Sequence, residues 1–164
     1  MIARIISVSK QLKLISVIIL TIVISSCAPQ QRETCTGLNI DVKKPVQVAL
    51  LLPKSHPKTR AVSASLENAT LMAVGEMKQV QIHLRIYDTA GNPEQAAIQA
   101  RKAVDDGAKI ILGPLFAESA NAAGMAVADQ GINVLSFSNN TSVAGGNVFI
   151  LGKTFQNTSN RLLK

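Results

Sequence analysis

The chain has 164 residues, of which 17 are Lys or Arg and 10 are Asp or Glu, and it contains one tyrosine and no tryptophan. Three of the basic side chains lie in the first 27 residues, so the other 137 residues carry 14 basic and 10 acidic side chains. These basic residues are scattered and no aromatic signature accompanies them, which argues against a nucleic-acid partner. A chain of this length has room for one domain with its own core.

Residues 1–27 predict a secretory leader. Basic residues without an acid precede an apolar run at residues 14–24, which is well short of the roughly 20 residues that span a bilayer. The run leads into ISSC at residues 24–27, which resembles the bacterial lipobox. We therefore expect Cys27 to receive a lipid such as palmitate and to anchor the protein on the periplasmic or extracellular side of a bacterial membrane. An ordinary signal peptide and an uncleaved anchor are the alternatives.

Residues 28–44 are polar and lack a sustained period, so they predict a flexible tether ahead of a folded domain at residues 45–164. Cys35 in this tether has no second cysteine to pair with once Cys27 is modified, and we expect it to be a free thiol. Because no CxxC motif or nearby histidine accompanies it, the sequence predicts neither a metal site nor a cofactor.

The first predicted elements of the domain are a strand, a helix and a second strand. Residues 46–52 form a nearly continuous apolar run, which is typical of a central parallel strand. A helix is predicted over residues 60–78, with an inward face formed by residues spaced three or four apart: Val62, Leu66, Ala69, Ala73 and Met77. Apolar and polar side chains alternate over residues 80–87, which favours an edge strand. The two histidines, His56 and His83, lie in a loop and on the polar strand face, where no function is predicted for them.

The clearest local pattern is a helix with its returning strand, within residues 87–115. Asn92 is a favourable N-cap, Pro93 suits the first helical position, and Gly107 supplies the left-handed residue that ends the helix. Between them, a stripe of small side chains lets the helix lie close to a sheet: Ala96, Ala97, Ala100, Ala103 and Val104. A short strand at residues 110–112 follows, so the unit predicts a right-handed βαβ crossover in a parallel sheet.

Further elements continue this alternation. Residues 118–130 predict a helix rich in small side chains that is closed by Gly131, residues 132–137 predict a fourth strand, and residues 148–151 form a last short apolar run. One more helix is predicted to begin near the C-terminal end. The whole pattern predicts an α/β fold, an open parallel sheet with helices on both faces.

Five segments in this order resemble the N-terminal lobe of the type I periplasmic binding proteins. They are the lipobox, VALLLP at 48–53, YDTAGNPEQA at 87–96, DGAKIILGPL at 106–115 and GINVLSFSN at 131–139. Within that family the resemblance is to the leucine/isoleucine/valine-binding type and to the related penicillin-binding protein activator lipoproteins. Because the second lobe and the hinge strands of the family would need a chain about twice as long, the resemblance implies one incomplete lobe and a truncated member.

The resemblance also implies where a ligand would bind. In that family two lobes close on a small molecule, and loops at the carboxyl ends of the strands supply contacts, as in open α/β sheets generally. The implied ligand-binding residues follow the third and fourth strands: Ala117, Glu118, Ser119, Ser138, Asn139 and Asn140. Two of them depart from amino-acid binders. Ala117 stands where a hydroxyl is common, and Glu118 adds a negative charge to a helix start that would otherwise attract an anion.

The resemblance implies one of two functions. The first is the solute-binding receptor of an ABC transporter for amino acids of the branched-chain type, with a permease as its partner. The alternative is an envelope lipoprotein that binds a protein such as a peptidoglycan synthase, for which an exposed apolar patch would argue. Catalysis is not predicted, because GxSxG, HExxH, P-loop and GxGxxG motifs are absent from the sequence.

Lipidation can be tested by supplying labelled palmitate to bacteria that express the wild type, Cys27→Ser or Cys35→Ser. We expect label on the wild type and on Cys35→Ser but none on Cys27→Ser, because Cys27 directly follows the short apolar run. Equal labelling of the wild type and Cys27→Ser would contradict the assignment.

Overall fold

The computed structural model describes residues 40–41, 43–152 and 155–162 of the chain. The predicted leader at residues 1–27, both cysteines and most of the predicted tether lie outside the described residues. In the described part of the chain, none of the helices combines the length and the apolar character that a membrane span requires.

Strands and helices alternate along the described residues and form one parallel sheet flanked by helices. The strands are β1 (Val46–Leu52), β2 (Ile82–Asp88), β3 (Ile110–Leu112), β4 (Asn133–Ser136) and β5 (Val148–Ile150). The α-helices are α1 (Arg60–Glu76), α2 (Pro93–Asp105), α3 (Ala117–Val127) and α4 (Phe155–Leu162). The strand order is β2-β1-β3-β4-β5, and each neighbouring pair is parallel. The predicted α/β fold class is confirmed, and β2 is an edge strand that begins two residues later than predicted.

β1 is a central strand of the sheet because exposure of its apolar side chains to water would be unfavourable. Ala49, Leu50, Leu51 and Leu52 are fully buried, and the strand pairs with β2 along one edge and β3 along the other. Since successive side chains point to opposite faces, this run needs cover on both faces. The chain crosses first to β2 and then back past β1 to β3, and right-handed crossovers place α1 on one face and α2 and α3 on the other.

α2 begins and ends as predicted. The Asn92 side chain accepts hydrogen bonds from two backbone N–H groups of the first helical turn, at 2.7 and 3.2 Å. At the other end Gly107 has a φ of +96°, its N–H donates to the Val104 carbonyl, and the Ala108 N–H donates to the Ala103 carbonyl. This pair of bonds is the Schellman motif, which satisfies two carbonyls that a helix leaves free.

Small side chains let α2 and α3 pack closely against each other and against the sheet. Six of them are fully buried: Ala96, Ala100, Ala103, Ala120, Ala123 and Val127. Gly124 of α3 has no room for a Cβ, which would overlap the Val148 side chain of β5. α3 begins one residue before its predicted start and gives way to a 3-10 turn at residues 128–130, where Gly131 has the predicted left-handed conformation. The buried apolar cluster of the described residues therefore lies between this helix pair and one face of the sheet.

The predicted inward face of α1 is wrong. Four of the five residues assigned to it are exposed: Val62, Ala69, Ala73 and Met77. Only Leu66 is partly buried. The helix also ends at Glu76, two residues earlier than predicted, so Met77 lies beyond it.

Polar contacts with the loop after β1 set the orientation of α1 instead. Ser63 is buried and its hydroxyl donates to the Pro53 carbonyl at 3.2 Å, while the Lys54 ammonium lies 2.7 Å from the Glu67 carboxylate. α1 carries few large apolar side chains, so its period does not strongly favour one face and these contacts decide which face packs. In this orientation, the exposed side chains of α1 between residues 61 and 75 carry no charge, and the exposed charged residues Arg60 and Glu76 lie at its two ends.

The carboxyl end of β3 approaches β1 very closely. Gly113 directly follows β3 with a φ of +88°, and a Cβ at this position would overlap the Leu51 carbonyl oxygen. The peptide bond from Gly113 to Pro114 is cis. Glycine is required at this position both for its backbone conformation and for its lack of a side chain.

A comparison of Gly113→Ala with Gly107→Ala distinguishes two causes of lost stability, the overlap of a Cβ with β1 and the strain of a left-handed backbone. Both glycines have a left-handed φ, +88° and +96°, so both replacements carry a similar conformational cost of about 1 kcal/mol. The nearest atom to a Cβ at Gly107 is 3.7 Å away, which is an ordinary contact. We expect Gly113→Ala to lower the free energy of unfolding by about 2 kcal/mol more than Gly107→Ala in urea denaturation. Equal losses would contradict the close approach of β3 to β1.

Candidate functional site

A cleft lies at the carboxyl edge of the sheet, where the loops after β1, β2 and β3 meet. The chain leaves β1 toward one side of the sheet and leaves β3 toward the other, and open α/β sheets bind ligands at such a reversal of strand order. The cleft has a volume of about 350 Å³ and is lined by His56, Gly91, Phe116, Ala117, Glu118 and Ser119. Three of the six residues predicted to contact a ligand therefore line one cavity.

Two aromatic rings form one wall of the cleft. The ring centroids of His56 and Phe116 are 5.7 Å apart and the ring planes meet at 75°, an edge-to-face arrangement. Gly91 packs against both rings, since a Cβ at this position would lie 3.0 Å from the His56 ring and 3.1 Å from the Phe116 ring. With a φ of +73°, Gly91 also makes the turn that brings the backbone to the rings.

The Asp88 carboxylate joins two of the three loops. It accepts hydrogen bonds from the Ala90 N–H at 2.9 Å and from the Ser55 N–H at 3.2 and 3.3 Å. Partial burial opposes the negative charge, but these hydrogen bonds outweigh burial and lower the pKa of Asp88 below its ordinary value. The carboxylate therefore holds the loop that carries His56 beside the turn that carries Gly91.

The hydrogen bonds of His56 indicate which ring nitrogen carries the proton. Nδ1 lies 3.2 Å from the Thr59 hydroxyl, and that hydroxyl donates to the Pro53 carbonyl at 3.4 Å. Because its proton is engaged with the carbonyl, the hydroxyl accepts a hydrogen bond from Nδ1–H. In the tautomer with the proton on Nδ1, Nε2 is an acceptor, and it has no hydrogen-bond partner among the described residues.

α3 contributes its first turn to the cleft. The helix begins at Ala117, so its free backbone N–H groups and the positive end of its dipole lie on this side. Ser119 is 1% exposed, and its hydroxyl has no hydrogen-bond partner within the part of the chain that the structure describes. Buried hydroxyls are normally paired, so an unpaired one in the lining of a cleft marks a place for a ligand group or an ordered water. Glu118 is exposed and brings a full negative charge to the lining.

The other three predicted site residues lie in the loop after β4 and do not line this cleft. The buried Ser138 hydroxyl accepts a hydrogen bond from the Asn140 N–H at 3.1 Å, and the Asn140 side chain accepts one from the Ser142 N–H at 2.9 Å. Asn139 is exposed in the same loop. These hydrogen bonds shape the loop, and a role in ligand binding for all six predicted residues stays a prediction.

Two hydrogen bonds tie the end of β4 and the first residue after it to the loop after β3. The Ser136 hydroxyl donates to the Pro114 carbonyl at 2.9 Å, and the Phe137 N–H donates to the same carbonyl at 3.1 Å. The Pro114 carbonyl thereby holds the segment that carries Phe116 against the edge of the sheet.

Sequence reasoning missed the aromatic wall of the cleft. The sequence predicts no function for His56, and the resemblance places Phe116 at the mouth of the predicted site but not among its six ligand-binding residues. The loop of His56 and the turn of Gly91 are more than 30 residues apart, so no spacing rule connects them. The sequence did contain one usable signal: the loop of His56 and the turn of Gly91 each follow a predicted strand. In a parallel sheet the C-terminal ends of the strands lie at the same edge, so the two loops are expected to be close. The described residues contain no cluster of three or more His, Cys, Asp or Glu side chains that would hold a metal ion.

Asp88→Asn is expected to loosen the cleft and to reduce the pH dependence of stability in acid. A carboxylate with a pKa lowered by folding stabilises the protein above its unfolded-state pKa, and this contribution is lost as the pH falls through the folded-state pKa. The variant should lose about 1 kcal/mol of unfolding free energy near pH 7. In urea denaturation its further loss of stability between about pH 6 and about pH 3 should be smaller than that of the wild type.

The matched control is Asp105→Asn, which removes an exposed carboxylate outside the cleft. We expect it to keep the pH dependence of the wild type. An Asp88→Asn variant with the stability and pH dependence of the wild type would contradict the role of the Asp88 carboxylate.

Comparison with known proteins places this fold in a family. A family model described as periplasmic binding protein matches residues 45–164. The uncharacterized protein RP748 of Rickettsia prowazekii is 28% identical over 111 residues, which cover 67% of this chain and 29% of RP748.

Solved structures share the fold at lower identity. The leucine binding protein LivK of Thermotoga maritima has a TM-score of 0.59 at 20% identity, covering 65% of this chain and 32% of LivK. A solute binding protein of an ABC transporter from Rhodopseudomonas palustris, solved with 3,4-dihydroxy benzoic acid, has a TM-score of 0.59 at 15% identity, covering 65% of this chain and 31% of that protein. The chain thus spans about a third of the length of the relatives it matches.

The family match extends over every strand and helix described above, and the solved structures share their arrangement. The resemblance to type I periplasmic binding proteins is therefore confirmed. The family is of a solute-binding type rather than an enzyme family, and it implies an extracytoplasmic location. The chain belongs to the periplasmic binding protein family.

Proposed function

We propose that this chain is an extracytoplasmic solute-binding lipoprotein that acts as the receptor component of an ABC transporter for amino acids. The observation that carries the proposal is the buried Ser119 hydroxyl, unpaired among the described residues, in a cleft at the point where the strand order reverses. A bound solute would supply the missing hydrogen-bond partner. The leucine-binding relative from Thermotoga maritima supports an amino acid as the class of solute.

The size and lining of the cleft suit a small molecule. Its volume of about 350 Å³ lies at the lower end of the range for small-molecule sites, about 300 to 1,000 Å³. The lining combines the rings of His56 and Phe116 with a few polar groups at the start of α3. Apolar walls with a small number of polar groups are the usual composition of such sites, because the walls provide burial and the polar groups orient the ligand.

The loop after β4 extends the proposed binding surface. β3 and β4 are neighbours in the sheet, so the loops that follow them lie at the same edge. We include Ser138, Asn139 and Asn140 in the proposed site on this ground, next to Ala117, Glu118 and Ser119.

The anchor completes the proposal. Cys27 is the proposed lipidation site, and residues 28–44 are the proposed tether that holds the domain near a bacterial membrane and a transporter permease. The apolar run that precedes the small residues before Cys27 supports this assignment.

Titration of the isotope-labelled protein with leucine, isoleucine and valine, followed by nuclear magnetic resonance, tests the proposal. We expect saturable shifts of the Gly91 and Ser119 amide signals. The expected dissociation constant is about 1 mM, because the open cleft removes only part of the ligand from water. Gly91→Ala should weaken binding about tenfold, since a Cβ at this position would press on both rings of the wall.

Gly146→Ala is the matched control. Gly146 also has a left-handed φ, +54°, but a Cβ there meets no atom within 4 Å. The control should bind the amino acids like the wild type. The comparison therefore distinguishes steric crowding of the cleft from the strain of an alanine in a left-handed conformation. Absence of shifts at Gly91 and Ser119 in a folded protein, or equal weakening by the two alanine variants, would contradict the proposal.

Exposed apolar side chains favour a second function, the binding of a protein partner such as a peptidoglycan synthase. Met72 of α1 is 67% exposed, and Leu71 beside it and Phe149 of β5 are also exposed. The exposed side chains of α1 between residues 61 and 75 carry no charge. Apolar surface depleted in charge is typical of the centre of a protein interface. This function gains support if leucine, isoleucine and valine cause no shifts of the Gly91 and Ser119 amide signals in the titration.

A further inference from the structure

We propose that the cleft binds the cationic end of its ligand, a protonated amine, rather than a carboxylate. The inference rests on the proposed solute-binding function and names the ligand group that this lobe recognises.

Two electrostatic features at the start of α3 act in opposite directions. The helix start contributes about 0.5 of a positive elementary charge, which favours an anion. Glu118 contributes a full negative charge in the first turn of the same helix. The ion pairs of the described residues do not include Glu118, so none of the described basic side chains is paired with its carboxylate. A full charge outweighs the partial charge of the helix, so the local potential favours a cation.

The remaining polar groups of the lining are suited to an ammonium group. In the His56 tautomer with the proton on Nδ1, Nε2 is an acceptor without a protein partner among the described residues, and the unpaired Ser119 hydroxyl has lone pairs that can accept. The Phe116 ring adds an aromatic surface, and such rings attract cations within about 6 Å of the ring centroid. A carboxylate in the same place would find donors at the start of α3 but would also face the Glu118 carboxylate.

Three small probes with a similar branched carbon body test this inference. Isoamylamine is cationic, isoamyl alcohol is neutral and isovalerate is anionic at neutral pH. We expect isoamylamine to shift the Gly91, Phe116 and Ser119 signals with an affinity about tenfold higher than that of isoamyl alcohol. Isovalerate should bind most weakly, because Glu118 repels it.

Two variants identify the groups responsible. Glu118→Gln should reduce the affinity for isoamylamine to that for isoamyl alcohol, and Phe116→Leu should weaken isoamylamine more than the alcohol. Glu94→Gln is the matched control, because Glu94 occupies the first turn of α2 and does not line the cleft. This control should keep the preference of the wild type for the amine.

Isovalerate that binds as tightly as isoamylamine, or an amine preference that survives Glu118→Gln, would overturn the inference. Either result would leave the solute-binding function intact, because the cleft would still hold a small molecule. Absence of shifts in the cleft with all three probes up to about 50 mM would also overturn it. The separate titrations with leucine, isoleucine and valine would then decide the proposed function.

Discussion

The burial of β1 on both faces is the constraint on which the rest of the structure depends. Its four consecutive fully buried residues, Ala49 to Leu52, require a strand on each edge and a layer on each face. The chain meets this requirement by crossing to β2 on one side and to β3 on the other. The reversal of strand order beside β1 follows from that path, and with it the cleft between the loops at the carboxyl edge.

Few interactions hold these loops in place. The Asp88 carboxylate joins the loop after β1 to the turn after β2, and the Pro114 carbonyl joins the loop after β3 to the end of β4. Gly113 allows the backbone to approach Leu51 where any side chain would collide, and Gly91 leaves room for the rings of His56 and Phe116, which a Cβ would crowd. The cleft is thus built mainly by backbone and hydrogen-bond geometry.

α1 shows the opposite situation, a helix whose orientation is set by polar contacts while apolar side chains stay in water. The hydroxyl of Ser63 and the Lys54–Glu67 ion pair attach it to the loop that also carries His56. A partly exposed ion pair contributes little stability, so the buried hydroxyl bond and the packing of the partly buried side chains of α1 are the stronger restraints. The orientation of α1 and the position of His56 are therefore linked through one loop.

The sequence by itself determined the α/β fold class, the ends of α2 and the edge position of β2. These depend on local chemistry: the apolar period, the capping oxygen of Asn92 and the left-handed Gly107. Family resemblance also led to Ala117, Glu118 and Ser119, which line the cleft. Only the tertiary structure decided which face of α1 packs and that His56 meets Phe116. Both outcomes depend on contacts between loops distant in sequence, and no local period carries information about such contacts.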